Sequence, residues 1–172
     1  MKYIILGQPR SGKSTLAKMI SEENNIPIIC TDKYRREWGF HEPWKGYDTE
    51  INPQRQKEFY DKLLELYNQY EDVILEGSSI NPKDINIFDY DSVVLLYKSS
   101  ISPKEMLNLS RQYDNDWTTR REDEYLLELF ENYINYSNKW VQENLDIAID
   151  TSNFEKGLEM AKERLYSGNI KR

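Results

Sequence analysis

No stretch of this sequence approaches the roughly 20 consecutive apolar residues of a membrane span, and Met1-Lys2 leads straight into a short apolar segment rather than a signal-peptide core. A cytoplasmic protein without membrane attachment is expected. Only one cysteine is present, Cys30, so no internal disulfide can form, and its place at the end of the apolar run 26–30 marks a buried, inert thiol. Only one histidine is present, His41, which leaves no histidine-based metal site or catalytic triad and reads as a surface residue. Lysine and arginine number 23 against 30 aspartates and glutamates, a formal net charge of -7 that opposes a broad footprint on polymeric nucleic acid or anionic lipid. Local basic clusters can still hold a small anion. Repeats, linkers and low-complexity tracts are missing as well, and 172 residues with 38% hydrophobic content support one core, hence one domain over 1–172.

What the sequence does have is a regular alternation. Short apolar runs at 2–6, 26–30, 72–76, 92–97 and 146–149 have the length and continuity of strands buried on both faces of a parallel sheet. Helical patterns fill the intervals. Asn52-Pro53 puts a cap before a proline at the first helical position, after which Phe59, Leu63, Leu64, Leu66, Tyr67 and Tyr70 recur at helical spacing. Ser102-Pro103-Lys104-Glu105 reads as a capping box, and Ser152-Asn153-Phe154-Glu155 as a second one capped by Ser152. A long helix is expected over about 122–142, with Leu126, Leu129, Phe130, Tyr133, Ile134 and Trp140 on one broad face. Right-handed crossovers then give a three-layer α/β sandwich that binds ligands at the carboxyl ends of its strands.

Gly7-Gln8-Pro9-Arg10-Ser11-Gly12-Lys13-Ser14 fits the pattern G-x-x-x-x-G-K-[ST] between a strand and a helix expected to begin near Lys13. The glycines let the loop curl with its backbone N–H groups inward. Lys13 adds a mobile cation for β and γ phosphates, and the Ser14 hydroxyl can bind magnesium. ATP and Mg2+ are therefore the expected cofactors, cradled by residues from Gly7 through Ser14 and the adjoining Thr15. A guanine-reading Asn-Lys-x-Asp is absent, because the one Asn-Lys pair, Asn138-Lys139, continues with Trp140-Val141. A Leu-Ser-Gly-Gly transporter signature is absent too, and the chain is too short for an AAA+ module with its helical lid domain.

Gly7-x-Pro9-x-Ser11-Gly12-Lys13-Ser14-Thr15, together with the chain length and the strand–helix order, resembles the nucleoside-monophosphate-kinase-like group of P-loop kinases. The resemblance implies a five-stranded parallel sheet in the order 2-3-1-4-5, an acceptor-binding insertion after strand 2 (31–56) and a mobile lid after strand 4 (99–121). It also implies direct transfer of the γ-phosphoryl of ATP, with Lys13 among the groups that stabilise the charge. Thr31-Asp32-Lys33-Tyr34-Arg35-Arg36 is similar to the Thr-x-Asp-x-x-Arg stretch with which adenylate-kinase-like enzymes grip an acceptor phosphate, one residue shorter between threonine and aspartate. In relatives with alcohol acceptors, such as shikimate kinases, an aspartate here contacts the attacking hydroxyl. Asp32 is thus implied as base or orienter, with Arg35 and Arg36 on the acceptor. Read from its residue type alone, Asp32 is also a candidate helix N-cap, and the two roles are compatible.

Glu76 ends the third apolar run at the acidic position of a Walker B element, where a carboxylate can hold magnesium through water, and Gly77 beside it lets a ligand approach. Adenylate kinases follow this pair with an arginine for the nucleotide acceptor, whereas Ser78-Ser79-Ile80-Asn81 stands here. Arg111, Arg120 and Arg121 fall in the lid, where arginines can fold over the triphosphate and exclude water. The further arginine that adenylate kinases carry eleven residues on is replaced by Glu131 or Asn132. Thr151 and Ser152 follow the last strand, where related kinases wrap backbone around the adenine edge. The aromatic stretch between Trp38 and Trp44 serves either to stack on a planar acceptor or to pack the insertion onto its helices.

The expected function is transfer of the γ-phosphoryl of ATP to a small metabolite or nucleoside-type acceptor by a monomer or homodimer. A nucleoside monophosphate kinase is the alternative, and an ATP-dependent switch or regulatory binder is the alternative of another class.

Overall fold

A computed structural model describes residues 1–40, 53–113 and 121–168. Tyr3, Ile4, Ile5 and Leu6 are all buried, so the strand they form, β1 (Lys2–Gly7), has to lie inside a sheet covered on both faces. It pairs in parallel with β3 (Val73–Gly77) on one side and β4 (Ser92–Tyr97) on the other. β2 (Ile28–Cys30) lies outside β3, and β5 (Ala148–Asp150) outside β4. The resulting order, β2-β3-β1-β4-β5, is the one the resemblance implies. Register brings Ile5 and Cys30 level with Glu76, and Leu6 level with Gly77, so the carboxyl ends of β1, β2 and β3 finish together.

Alternate strand residues feed two cores. Ile4, Leu6, Ile29, Leu75, Val93 and Leu95 meet Phe59, Leu63 and Tyr67 of α3 (Pro53–Tyr67) and Trp140 and Val141 of α5 (Asp123–Glu143). On the other face Tyr3, Ile5, Ile74, Val94, Leu96 and Ile149 meet Leu16, Ala17 and Ile20 of α1 (Lys13–Asn24) and Leu158, Ala161 and Leu165 of α6 (Phe154–Ser167). Each such aliphatic or aromatic side chain contributes about 1.5–3 kcal/mol when fully buried. A smaller cluster joins Met106 and Leu107 of α4 (Pro103–Tyr113) to Leu126, Leu129, Phe130 and Tyr133 in the first half of α5. The segment expected as a lid therefore contains a regular helix docked on α5. No helix among the described residues is long and apolar enough to cross a membrane.

Several boundaries differ from the sequence reading. β2 starts at Ile28 rather than 26, because Pro27 has no N–H to give; its carbonyl still accepts from Ile74 N at 2.9 Å. β5 starts at Ala148, since Ile147 N donates to Asn144 O at 3.1 Å and keeps 146–147 in a turn. Ser102 caps α4 as expected, Glu105 N donating to its Oγ at 3.1 Å. At α6, however, the cap is Asn153, which accepts from Lys156 N, and not Ser152. The Ser152 hydroxyl instead donates to Asp150 Oδ1 at 2.7 Å, a charged and hence stronger acceptor. Asp32 is not a cap either: α2 (Thr31–Glu37) begins one residue before it and has Cys30 at its N-cap. A short 3-10 helix (Pro82–Ile87) had no counterpart in the sequence reading.

The junction of β3 and α2 demands glycine at position 77. Gly77 has φ +149°, and a Cβ there would sit 1.8 Å from Thr31 Oγ1. Gly77→Ala is expected to destabilise the protein by about 3 kcal/mol, lowering the midpoint of thermal unfolding by roughly 10 °C. An unchanged midpoint would mean that β3 and α2 do not approach this closely.

Candidate active site

Four segments converge at the carboxyl edge of the sheet: the loop after β1, the start of α2, the end of β3 and the loop after β5. The first curls because Arg10 (φ 64°) and Gly12 (φ 102°) are left-handed. Space around Gly12 is tight as well, since a Cβ there would lie 3.0 Å from both Phe154 and Leu158. Inside the curl the Lys13 ammonium donates to Gln8 O at 2.7 Å and the Ser11 hydroxyl to the same oxygen at 2.8 Å. Arg10 Nε reaches Ser110 Oγ on α4 at 3.2 Å, tying the loop to that helix.

From the far end of the chain, the fully buried Thr151 donates its hydroxyl to Ser11 O at 2.6 Å. Its side chain braces the loop. Ser152, Asp150 and Ser99 form a second stitch: Ser99 N donates to Ser152 Oγ at 3.2 Å and Ser152 N to Asp150 Oδ1 at 2.9 Å. Burial would raise the Asp150 carboxyl, but the donors from Ser99 and Ser152 outweigh it and hold the group below its ordinary value.

Glu76 is 4% exposed, and burial pushes its carboxyl above the ordinary value; the Asp32 charge adds to that, while Lys13 opposes it. Burial correspondingly pulls Lys13 down, against Asp32 and Glu76, which favour its charged form. The three charges therefore sense one another across the same small volume. Ser14 Oγ lies 3.4 Å from Glu76 Oε1. Among the described residues no three His, Cys, Asp or Glu side chains cluster as a metal cage. The pair of one hydroxyl and one carboxylate suits Mg2+, which keeps waters and binds phosphate oxygens beside one or two protein ligands. Cys30, between Glu76 and Asp32, is pushed up to about 12 by burial and by both carboxylates, as an inert thiol should be.

Asp32 points back at the segment after β3. Its Oδ1 accepts from Ser79 Oγ at 2.6 Å and Ser78 N at 3.2 Å, and its Oδ2 from Ser78 Oγ at 3.0 Å. One helical turn on, Arg35 is buried, its guanidinium 5.0 Å from the Phe59 ring centre and donating to Gln56 Oε1 at 3.0 Å. Gln56 Nε2 in turn donates to Ser79 O at 3.2 Å. Arg36 is exposed and belongs to none of these contacts. Tyr133 of α5 feels the same carboxylate: burial, then the Asp32 charge, push its phenol well above the ordinary range.

Arg111 is ion-paired with Asp123 at the start of α5, Arg121 is half-buried, and Arg120 lies outside the described residues. Trp38 packs against Tyr34 and Phe59, and Phe40 against Phe59, with ring centroids 4.9, 6.1 and 5.8 Å apart, which fits packing of the insertion; residues 41–52 lie outside the described residues.

Residues that the sequence reading left out are Ser78, Ser79, Gln56, Tyr133, Lys98 and Phe154. Phe154, 40% exposed, and Lys98, whose ammonium lies 5.5 Å from the Phe154 ring centre, line an open cavity of about 500 Å³ with Arg10, Gly12, Lys13, Ser14, Thr15 and Leu109. An exposed aromatic immediately after a helix cap was the available signal.

No family model and no curated protein matches the sequence. Solved structures do match in fold. A shikimate kinase from Bacteroides thetaiotaomicron is 16% identical with a TM-score of 0.58, over 97% of both chains. A shikimate kinase from Acinetobacter baumannii in complex with shikimate is 16% identical with a TM-score of 0.60, over 96% of this chain and 93% of that one. A deoxyadenosine kinase from M. mycoides with bound dATP is 17% identical with a TM-score of 0.57, over 96% of this chain and 99% of that one. The five-stranded sheet and its order are theirs, and the chain has the fold of the nucleoside-monophosphate-kinase-like group of P-loop kinases.

Proposed function

We propose that this protein transfers the γ-phosphoryl group of ATP, with Mg2+, to a hydroxyl of a small metabolite or nucleoside-type acceptor. The observation that carries the reading is the convergence of Lys13, Glu76 and Asp32: a phosphate-loop cation, a magnesium-type carboxylate and a separately anchored carboxylate whose charges act on one another. The backbone of residues 7–15 holds the β and γ phosphates, and Lys13 exchanges its bond to Gln8 O for phosphate oxygens. Ser14 and Glu76 would hold Mg2+, which would supply neutralisation of phosphate charge. Asp32 takes the proton of the attacking hydroxyl as its oxygen bonds to the γ-phosphorus, and the bond from that phosphorus to the β–γ bridging oxygen breaks to release ADP. Phe154 and Lys98 line the cavity beside the phosphate loop and are assigned to the base and ribose of the donor, and Arg111 and Arg121 to the charge of its triphosphate.

The shikimate and deoxyadenosine kinases that share the fold support hydroxyl acceptors. A monophosphate acceptor would call for a cation where Ser78 and Ser79 face Asp32. The test is ADP formation from ATP and Mg2+ with shikimate, deoxyadenosine, AMP or no acceptor, products being identified by mass spectrometry. A phosphorylated alcohol is expected, with little product from AMP. AMP as the best acceptor would convert the reading to a monophosphate kinase, and ATP consumption indifferent to acceptor would convert it to a switch.

A further inference from the structure

The acceptor half of the site contains a carboxylate that does not hold itself in place. Asp32 is half-buried in the first turn of α2, and neither a cap bond nor an ion pair on its own helix fixes its rotamer. Beside a long 3.4 Å contact from Thr31 Oγ1 to Oδ1, what fixes it comes from the segment after β3, 46 and 47 residues away: Ser79 Oγ at 2.6 Å and Ser78 N at 3.2 Å on Oδ1, and Ser78 Oγ at 3.0 Å on Oδ2. A carboxylate offers about two lone-pair sites on each oxygen. Oδ1 is filled by its two close donors, whereas Oδ2 has one close donor, the Ser78 amide approaching it only to 3.5 Å, and keeps a site for the acceptor. The same Ser79 presents its carbonyl to Gln56, which holds Arg35 at 3.0 Å. The segment itself is pinned beyond Ser79, because Asn81 N donates to Tyr60 Oη at 3.1 Å and Tyr60 Oη to Asp84 Oδ2 at 2.8 Å.

We infer that Ser78 and Ser79 are positioning residues that aim Asp32 Oδ2 at the acceptor hydroxyl, and that Ser79, through Gln56, locks Arg35 to the same frame. The inference rests on the hydroxyl-acceptor reading above. The hydroxyl proton passes to Oδ2 as the new oxygen–phosphorus bond forms, and a carboxylate turned away from that line loses rate rather than affinity. Base and guanidinium, one turn apart on α2, then move as one body, and an acceptor is read by the distance between its hydroxyl and the group that meets Arg35.

The experiment compares wild type, Ser78→Ala, Ser79→Ala and Ser79→Thr in two measurements. With shikimate and deoxyadenosine as probes, Ser79→Ala is expected to lower kcat about 10- to 100-fold, to leave KM within about twofold and to keep the melting temperature. Ser79→Thr, which retains the hydroxyl, recovers most of the rate, and Ser78→Ala lowers kcat in the same way. The second measurement needs no acceptor: hydrogen exchange at the Ser78 amide, protected by its bond to Asp32, is expected to speed up about tenfold in Ser79→Ala and to stay slow in Ser79→Thr. Unchanged kcat, a change confined to KM, or unaltered exchange in Ser79→Ala would overturn the inference. If wild type phosphorylates neither probe, it is the acceptor reading that fails, and the exchange result alone decides whether the serines hold Asp32.

Discussion

Alanine in place of Lys13 is expected to reduce ATP-dependent transfer by about 10²–10³-fold or more, with the folded state retained. Lys13 lies inside the phosphate loop, 7% exposed, its ammonium on Gln8 O. Burial already disfavours its charge, and Asp32 and Glu76 push the other way. Removing it leaves the charge that develops on the β–γ bridge uncompensated where water cannot substitute. It also takes from Glu76 the neighbour that opposes its upward shift. Folding survives because the cost of desolvating the ammonium disappears with it. Labelled-ATP turnover and thermal shift with ATP measure the two effects separately. Turnover equal to wild type would remove this loop from the active site.

Asp32→Asn is expected to cost about 10²-fold or more in kcat, while ATP binding and the melting temperature stay close to wild type. An attacking hydroxyl must lose its proton, whereas a phosphate acceptor is already ionised near neutral pH. Asparagine keeps the shape, and its amide oxygen can still accept from Ser79 Oγ and Ser78 N. The Ser78 hydroxyl can turn to accept from the new NH2 group. The substitution therefore removes charge and basicity with little loss of structure. Near-normal turnover in Asp32→Asn together with collapse in Arg35→Ala would show that the acceptor presents a phosphate and needs the arginine more than the base.

Features contiguous in the chain were legible in the sequence. The phosphate loop is nine neighbouring residues, from the end of a strand to the first turn of a helix, and the five apolar runs fall on the five strands, with ends displaced by one or two residues where Pro27 and the turn at 144–147 intervene. The strand order came from the resemblance, because periodicity says which residues pair but not with which partner. Legibility failed where function depends on distant residues meeting. Nothing in Ser78-Ser79 marks it as the partner of Asp32, and Tyr133 read as one more core residue on the long helix. Arg35 and Arg36 looked alike in sequence, yet consecutive helical residues point about 100° apart, and only the first turns inward. The brace from the Thr151 hydroxyl to Ser11 was likewise not legible in the sequence.

That brace spans 140 positions. The motif letters emerge from a ribosome within the first fifteen residues of this sequence, but the loop they spell is not clamped until β5 has been made and docked beside β4. β1 likewise waits for β3 and β4 before it has neighbours. Distant pairings of this kind belong to the slower class of folding reactions. A chain interrupted before position 151 therefore carries the letters of the loop without the clamp that shapes it.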